Sequence, residues 1–478
     1  VDELHDIGYN RTISMMDSIK SRIHRRVNLD NIRLRRMVYR SNYPELRFKN
    51  IIIDGANTQQ QAYIKKEFHK SDNKEFSYED LKQGYFRLLS DNMISEIIPH
   101  AIYNPEDDTY DLHLKVKLEN NFAVRLGGNI STSNSNQIYL GLSYQDLNYY
   151  AKEFVFDGQL GKVYNNAQFM AKIDFSTAIP TSYRFIASIS TFDYFKKDKL
   201  FSRNDKPAFN QKDERFLKLQ VGLPFLSSKR AEFGIGIARI EDKYFQKSVI
   251  DFGNDKFDKS RYDLFGGSIS FNGSTLNSRQ YPTRGYREAL IAQIFIGRER
   301  FYPGESATGN NNKEHHSWLQ LSYMKEKYHN MSEHWVLGWY LKALYASKNF
   351  SENYTATMMQ AGEFSPTQHS KLTYNEAFRA NQFVGAGIRP IYRLNQMFHL
   401  RGEFYGFMPI YPIERNSLNK AYYGKAFSKF EYLGEISVVC QLPFGDISAY
   451  VNHYSSPKRE WNVGLSIGWQ LFNYRFIE

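Results

Sequence analysis

In HWVLGWYLKALYAS, residues 334–347, Trp335, Leu337, Trp339, Leu341, Ala343 and Tyr345 fall on one side of an extended chain, and Gly338, Tyr340 and Lys342 on the other. That period of two belongs to a strand with one oily face, and it recurs along most of the chain. NFAVRLGGNIS sets Phe122, Val124, Leu126 and Ile130 against Arg125, Gly127, Asn129 and Ser131, and QIYLGLSYQ repeats the pattern with Ile138, Leu140, Leu142 and Tyr144. AQFMAKIDFS offers Phe169, Ala171, Ile173 and Phe175 against Gln168, Lys172 and Asp174, and FLKLQVGLPF offers Leu217, Leu219, Val221 and Leu223 against Lys218, Gln220 and Gly222. About sixteen such strands fit between residues 121 and 478. Their connections alternate between brief ones (TAIPTSY, HNMSE, YRLNQM, LPFGD) and long ones such as DYFKKDKLFSRNDKPAFNQKDER and DKYFQKSVIDFGNDKFDKS. A soluble sandwich has no reason to sort its loops by length. Short turns at one rim and long loops at the other are the arrangement of an antiparallel transmembrane β-barrel.

The oily face then meets lipid, with Leu126, Leu140, Leu219, Trp339 and Leu465 outward and Arg125, Lys218 and Lys342 facing a polar lumen. Closure requires the first strand to pair with the last, WNVGLSIGWQLF, because an open edge in lipid leaves backbone groups unsatisfied. Gly127, Gly128, Leu465 and Ile467 mark that seam, the glycines weakening the first strand.

Composition agrees. The 478 residues include 35 Tyr and 36 Phe, only 14 Pro and a net charge of +11, and the mean hydropathy of -0.57 is too polar for helical spans. The single Cys440 excludes an internal disulfide framework and a Cys-rich metal site.

Ahead of the barrel the texture changes. Residues 46–119 read strand, helix, helix, strand, strand: FKNIIIDG ends at Gly55, Ser77 caps a helix carrying Leu81, Tyr85, Leu88 and Leu89 on one face, and EIIPHAIYN and YDLHLKVKL form a hairpin through PEDD. This module, directly followed by a barrel, resembles a POTRA domain. Residues 1–45 space Ile13, Met16, Ile19 and Ile23 as a helical stripe. DELHDIGYNRTISMMDSIK resembles the closing helix of a bacterial patatin-like phospholipase domain, which implies that residues 1–45 are the tail of a preceding domain. The basic run that includes Arg25, Arg26, Arg35 and Arg36 reads as a solvated face or, more sharply, as a contact with anionic lipid head groups. Nucleic acid is not an expected partner, since the charge lies outside any nucleic-acid fold.

Inside the barrel, STLNSRQYPTRGYREALIAQIFIG is similar to the segment leading into the ninth strand in the superfamily of barrel-assembly insertases and two-partner secretion translocators; the matching phrase is Tyr281, Pro282, Thr283, Arg284 and Gly285. That resemblance implies that the long eleventh-to-twelfth connection folds back into the lumen. Its best match to the family's Arg-bearing tip is Phe378-Arg379-Ala380-Asn381, with the glycine and aromatic replaced. A buried Arg379 needs a carboxylate. The thirteenth strand puts Glu403 on one face with His399 and Arg401, the fourteenth points Glu431 and Glu435 inward, and Glu403 or Glu435 is the expected partner.

No catalytic constellation is present. Gly266-Gly267-Ser268-Ile269-Ser270 lies inside a strand and not on a nucleophile elbow. Adjacent His315 and His316 point to opposite sides of an extended chain and read as a polar outer loop. No cofactor pattern appears. Two expectations follow from the resemblances: an outer-membrane barrel with a periplasmic POTRA that anchors, and translocates, a patatin-like lipid acyl hydrolase acting on phospholipid; or an insertase or translocator of the barrel-assembly type, whose partners are a protein passenger or outer-membrane assembly proteins. Outer-membrane lipids surround the barrel in both.

Overall fold

The computed structural model comprises two compact units, residues 1–56 with 67–117, and residues 57–66 with 118–478. It describes residues 2–23, 28–41, 46–68, 75–91, 93–133, 136–176, 179–194, 210–226, 229–246, 256–305, 307, 310–456 and 461–478.

The smaller unit opens with helices Asp2–Ser14, Met16–Arg22 and Leu29–Ser41. Ile13, Ile19 and Ile23 of the expected stripe are exposed, as are Arg35 and Arg36, while Arg25 and Arg26 lie outside the described residues. A four-stranded sheet follows, in the order Phe76–Ser77, Arg47–Asp54, Thr109–Leu118, Ile94–Asn104. Arg47–Asp54 and Thr109–Leu118 run parallel. Ser77 caps the helix Tyr78–Leu89 through a reciprocal box: its Oγ accepts from Asp80 N at 3.3 Å and its own N–H donates to Asp80 at 2.9 Å. Of the face expected on that helix only Leu88 is fully buried, and Leu89 is exposed. Gly84, one turn before Leu88, takes its place because the ring of Phe68 lies where a Cβ would be.

The larger unit is a closed antiparallel barrel of sixteen strands. The first four are Phe122–Ser131, Gln137–Leu147, Ala151–Gly161 and Tyr164–Phe175. Strands five to ten are Thr181–Tyr194, Asn210–Phe225, Lys229–Tyr244, Asp258–Ser274, Gly285–Tyr302 and Asn312–Asn330. Strands eleven to sixteen are Trp335–Ala346, Gln382–Arg393, Phe398–Pro409, Glu431–Leu442, Gly445–Tyr454 and Trp461–Gly468. The wall is uneven: the ninth and tenth strands have 18 and 19 residues, the sixteenth and first 8 and 10.

Side chains alternate about the wall as the period of two requires. Leu126, Leu140, Leu219, Trp335 and Leu465 are exposed on the outside, with Trp339 on the same face, and Lys218 turns inward and is buried. The lumen departs from expectation in one respect. Ile186, Phe216, Leu264, Phe295 and Trp318 point into it and form an apolar cluster. They are covered by segments that fold into the barrel, so this part of the interior is a packed core and not a polar channel. The loop alternation also has exceptions, since residues 162–163 make a brief turn at the long-loop rim and residues 275–284 a long one at the short-turn rim.

Candidate functional site: a plugged lumen and an incomplete seam

The eleventh-to-twelfth connection, residues 347–381, enters the lumen. It carries a short helix, Tyr354–Gln360, capped by Asn353, whose Nδ2 also donates to Tyr244 Oη at 2.7 Å. Met359 of that helix packs with Tyr244 and Phe301, while Phe364 and Phe378 pack with Phe383, Phe407 and Leu433 of the wall. Arg379 is 6% exposed. Its partner is neither Glu403 nor Glu435. Gly362–Glu363 and Arg379–Ala380 form a two-residue ladder that sets Glu363 directly opposite Arg379, and the guanidinium meets the Glu363 carboxylate at 2.9 Å. Carbonyls of Met358, Met359 and Ala361 accept from its Nη1 at 3.3–3.4 Å, and its Cζ lies 4.6 Å from the Tyr374 ring centroid, while its Nε–H is buried without a hydrogen-bond partner among the described residues. The expected pairing fails because a nearer carboxylate lies within the loop itself.

The wall carboxylates are used differently. Glu403 is inward with His399 and Arg401, as the alternation predicts, and is held by Arg401 and, at 3.7 Å, by Arg389 of the twelfth strand. Arg389 also pairs with Glu326 of the tenth strand and donates to the Pro366 carbonyl of the inserted loop at 3.2 Å. Arg401, 1% exposed, donates to the Pro282 carbonyl at 2.8 Å and to Tyr328 Oη at 3.0 Å. Two wall arginines thus bridge two wall glutamates, and each holds one inserted segment. Glu435 takes the loop's His369, whose Nδ1 lies 2.9 Å from its Oε1; Glu431 is held by Ser455. Deeper in the loop, burial, with Arg287 next in weight, pushes the Lys371 ammonium down to about 8.

The eighth-to-ninth turn is the second inserted segment. Tyr281 is buried and donates to Ser448 of the fifteenth strand at 3.0 Å, and its carbonyl accepts from Gln441 at 3.1 Å. Asn277 Oδ1 accepts from the N–H groups of Thr283 and Arg284 at 3.0 and 2.9 Å, and Gly285, at φ +92°, closes the turn where a Cβ would collide with the Thr275 carbonyl. Gln280 links the turn to the loop, its carbonyl accepting from Gln368 at 2.7 Å, and to the seam, its side chain meeting Gly468 O at 3.2 Å and Gln470 N at 3.0 Å.

The seam is short. Among the described residues, strands sixteen and one pair only at Ser466 with Ser131, Ile467 with Ile130, and Gly468 with Asn129. Thr132 N to Leu465 O at 2.9 Å and Trp469 N to Gly128 O at 2.7 Å frame this stretch. Of the expected seam residues, Ile467, Leu465 and Gly128 therefore reach the seam, and Gly127 lies beyond it. Gly468, at φ +111°, turns the chain inward with no room for a Cβ against the Gly128 carbonyl. Residues 469–478 then run through the lumen, where wall amides read their backbone. Gln137 pairs with both N–H and C=O of Leu471, each at 3.1 Å, and Gln293 accepts from Glu478 N at 3.0 Å and donates to Phe476 O at 3.2 Å. Phe476 completes the apolar cluster around Phe216, Phe295 and Trp318.

Beside the seam lies a cavity of about 1540 Å³ whose lining includes Arg125, Arg279, Arg287, Lys342, Lys371 and Arg475 against Asp157 and Asp446. Arg125 and Lys342 sit there as their inward positions predict.

Two minor expectations are also placed. His316 and His315 do point to opposite sides, but on the tenth strand and not in an outer loop; His316 is buried 2.9 Å from Glu299. Gly266 is packed against Phe295, as a crowded wall requires.

No family model and no curated protein matches the sequence. Among solved structures, BamA from Haemophilus ducreyi lacking POTRA domains 1–3 aligns with a TM-score of 0.61, covering 88% of this chain and 84% of that chain at 11% identity. CdiB from Acinetobacter baumannii aligns with a TM-score of 0.50, covering 89% of this chain and 74% of that chain at 8% identity. This chain has the barrel fold of these two proteins, here sixteen antiparallel strands closed on themselves.

Proposed function

We propose that the chain is an outer-membrane translocator or insertase of polypeptides, with residues 46–119 a POTRA domain in the periplasm, residues 1–45 a helical extension of it, and residues 120–478 the barrel. The observation that carries the reading is the seam. With the sixteenth strand diverted at Gly468, Phe122–Gly127 is without a strand partner on its outer edge among the described residues. An unpaired strand edge is a template for another chain's strand. In lipid each unsatisfied backbone group costs several kcal/mol, so the edge favours an incoming strand strongly. The basic cavity beside it favours acidic, unfolded segments, and the plugged lumen argues against a passive pore. The fold likeness to BamA and CdiB agrees with this reading. Neither neighbour supports the patatin-like association, which rests on residues 2–20 alone and remains the second reading.

The test reconstitutes the full chain in liposomes and follows insertion of an urea-unfolded outer-membrane barrel by heat-modifiable migration. A disulfide across the seam, Ser131→Cys with Ser466→Cys in a Cys440→Ser background, should abolish the acceleration, and reduction should restore it. Equal insertion by the oxidised and reduced forms would exclude the seam as the route.

A further inference from the structure

On strands six to ten the antiparallel register arranges outward side chains in rows across the wall. One row runs Arg215, Arg239, Asp263, Arg298, His315. The next row toward the long loops runs Asp213, Glu241, Arg261, Arg300 and Lys313, its two acids being paired with Lys243 and Lys259 at 2.9 Å each. Below Arg215 the outward positions of the sixth strand are Leu217, Leu219, Val221, Leu223 and Phe225, and those of the ninth are Ile296, Ile294, Ala292 and Leu290. The apolar band ends at a second charged row, Lys229, Glu288 and Lys325. Ten residues of a strand tilted by about 40° rise about 25 Å, the height of the lipid-facing band of a membrane barrel. The two rows therefore mark the two interfaces.

They are built differently. At the short-turn interface Glu288 stands between two lysines, 2.7 Å from Lys229 Nζ and 3.3 Å from Lys325 Nζ, and accepts from Tyr323 at 2.9 Å. At the long-loop interface one acid serves three arginines: Asp263 lies 2.7 Å from Arg239 and 3.8 Å from both Arg261 and Arg300. Arg215 stands directly opposite Arg239, and among the described residues neither Arg215 nor Arg298 has a carboxylate partner. Like charges directly opposite on adjacent strands repel, so the three arginines of this row exceed what its one acid, Asp263, can balance. Immediately beneath it a groove of about 1010 Å³ is floored by Phe169, Ile189, Leu217, Ile237, Phe265 and Ile296.

We propose that this face is a binding site for a phosphorylated lipid of the leaflet at the long-loop rim, its phosphate accepting from Arg215, Arg239 and Arg298 and an acyl chain lying in the groove. Guanidinium forks match phosphate through paired hydrogen bonds, whereas lysines serve at the opposite interface. The site covers strands far from the seam in the strand order, and it rests on the apolar band being lipid-embedded, not on polypeptide transport.

The test uses the purified full chain in zwitterionic detergent and native mass spectrometry with a bis-phosphorylated, multiply acylated glucosamine disaccharide lipid. Arg215→Gln with Arg298→Gln should weaken binding about tenfold or more, the loss of one or two charge-assisted bonds. Lys229→Gln with Lys325→Gln should leave it unchanged. Should the double arginine variant fail to show heat-modifiable folding, Asp263→Asn replaces it and should bind several-fold more tightly. Equal binding by the arginine variant and the parent would overturn the proposal, as would weaker binding by Asp263→Asn. Displacement of the lipid by an equal concentration of inorganic phosphate would also overturn it, by making the site one for the free anion.

Discussion

Arg401 offers the sharpest perturbation of the lumen. Its guanidinium is 1% exposed and meets the Glu403 carboxylate, the Pro282 carbonyl and Tyr328 Oη. Arg401→Met keeps most of the stem and removes the charge. Breaking a buried ion pair by deleting one partner costs about 3–5 kcal/mol, because the other charge is stranded. Here Glu403 keeps Arg389 at 3.7 Å and the Tyr405 hydroxyl, which places the loss at the low end. The orphaned Pro282 carbonyl adds about 1 kcal/mol. The expected destabilisation is about 3–4 kcal/mol, read as the shift of the denaturant midpoint of heat-modifiable migration in detergent. Because Pro282 lies in the eighth-to-ninth turn, limited proteolysis should nick residues 275–284 in the variant first. Arg401→Met with Glu403→Leu should recover more than half of the loss, since an apolar pair strands no charge at that position. A loss below about 1 kcal/mol for Arg401→Met, or no recovery in the double variant, would refute the assignment of this pair as the anchor of the turn.

Further outcomes follow from the same geometry. Arg379→Ala and Glu363→Gln should couple in a double-mutant cycle by about 1 kcal/mol or more, whereas Arg379→Ala and Glu403→Gln should add, having no shared contact; the reverse would put Arg379 on the wall after all. Leu219→Arg, mid-band, should cost roughly 2–4 kcal/mol and Phe225→Arg, at its edge, about 0–1 kcal/mol, so equal losses would misplace the membrane. Lys371, held near 8, binds fewer protons with the loop inserted than released, so insertion should strengthen as pH rises from about 8 to 10.5. Protease accessibility of residues 347–381 should fall across that window, and Lys371→Met should flatten the profile. Ser77→Ala should destabilise the small α+β unit by about 1 kcal/mol in thermal unfolding, through the lost cap.

The period of two made the wall legible, because every strand has one face in contact with something apolar. Strand count, the eighth-to-ninth junction and the position of the inserted loop all follow from that period with the turns. What had no period was not legible. Glu363 precedes Arg379 by 16 residues of irregular loop, so only the fold brings them opposite each other. Arg389 and Glu326 each read as one more inward polar residue, and nothing in either strand signals that they meet over the intervening eleventh strand. Residues 469–478 continue the apolar alternation through Trp469 and Leu471, which reads as the end of the last strand. The diversion is set by Gly468 in a conformation that only glycine adopts readily and by glutamines scattered over three strands and the eighth-to-ninth turn.

The central claim, a barrel whose seam stops after three residue pairs, is tested by two engineered cysteine pairs in the Cys440→Ser background. Bonds at Thr132–Leu465 and Gly128–Trp469 make Ser131–Ser466 and Gly127–Gln470 the pairs of the same, closer spacing, the first inside the seam and the second just past its end. Mild oxidation of the full chain in bilayers should crosslink Ser131→Cys with Ser466→Cys nearly completely. Gly127→Cys with Gln470→Cys should stay largely reduced, because Gln470 is held by Gln280 inside the lumen. Equal crosslinking of both pairs would mean that the sixteenth strand zips along the first, and the open edge would not exist.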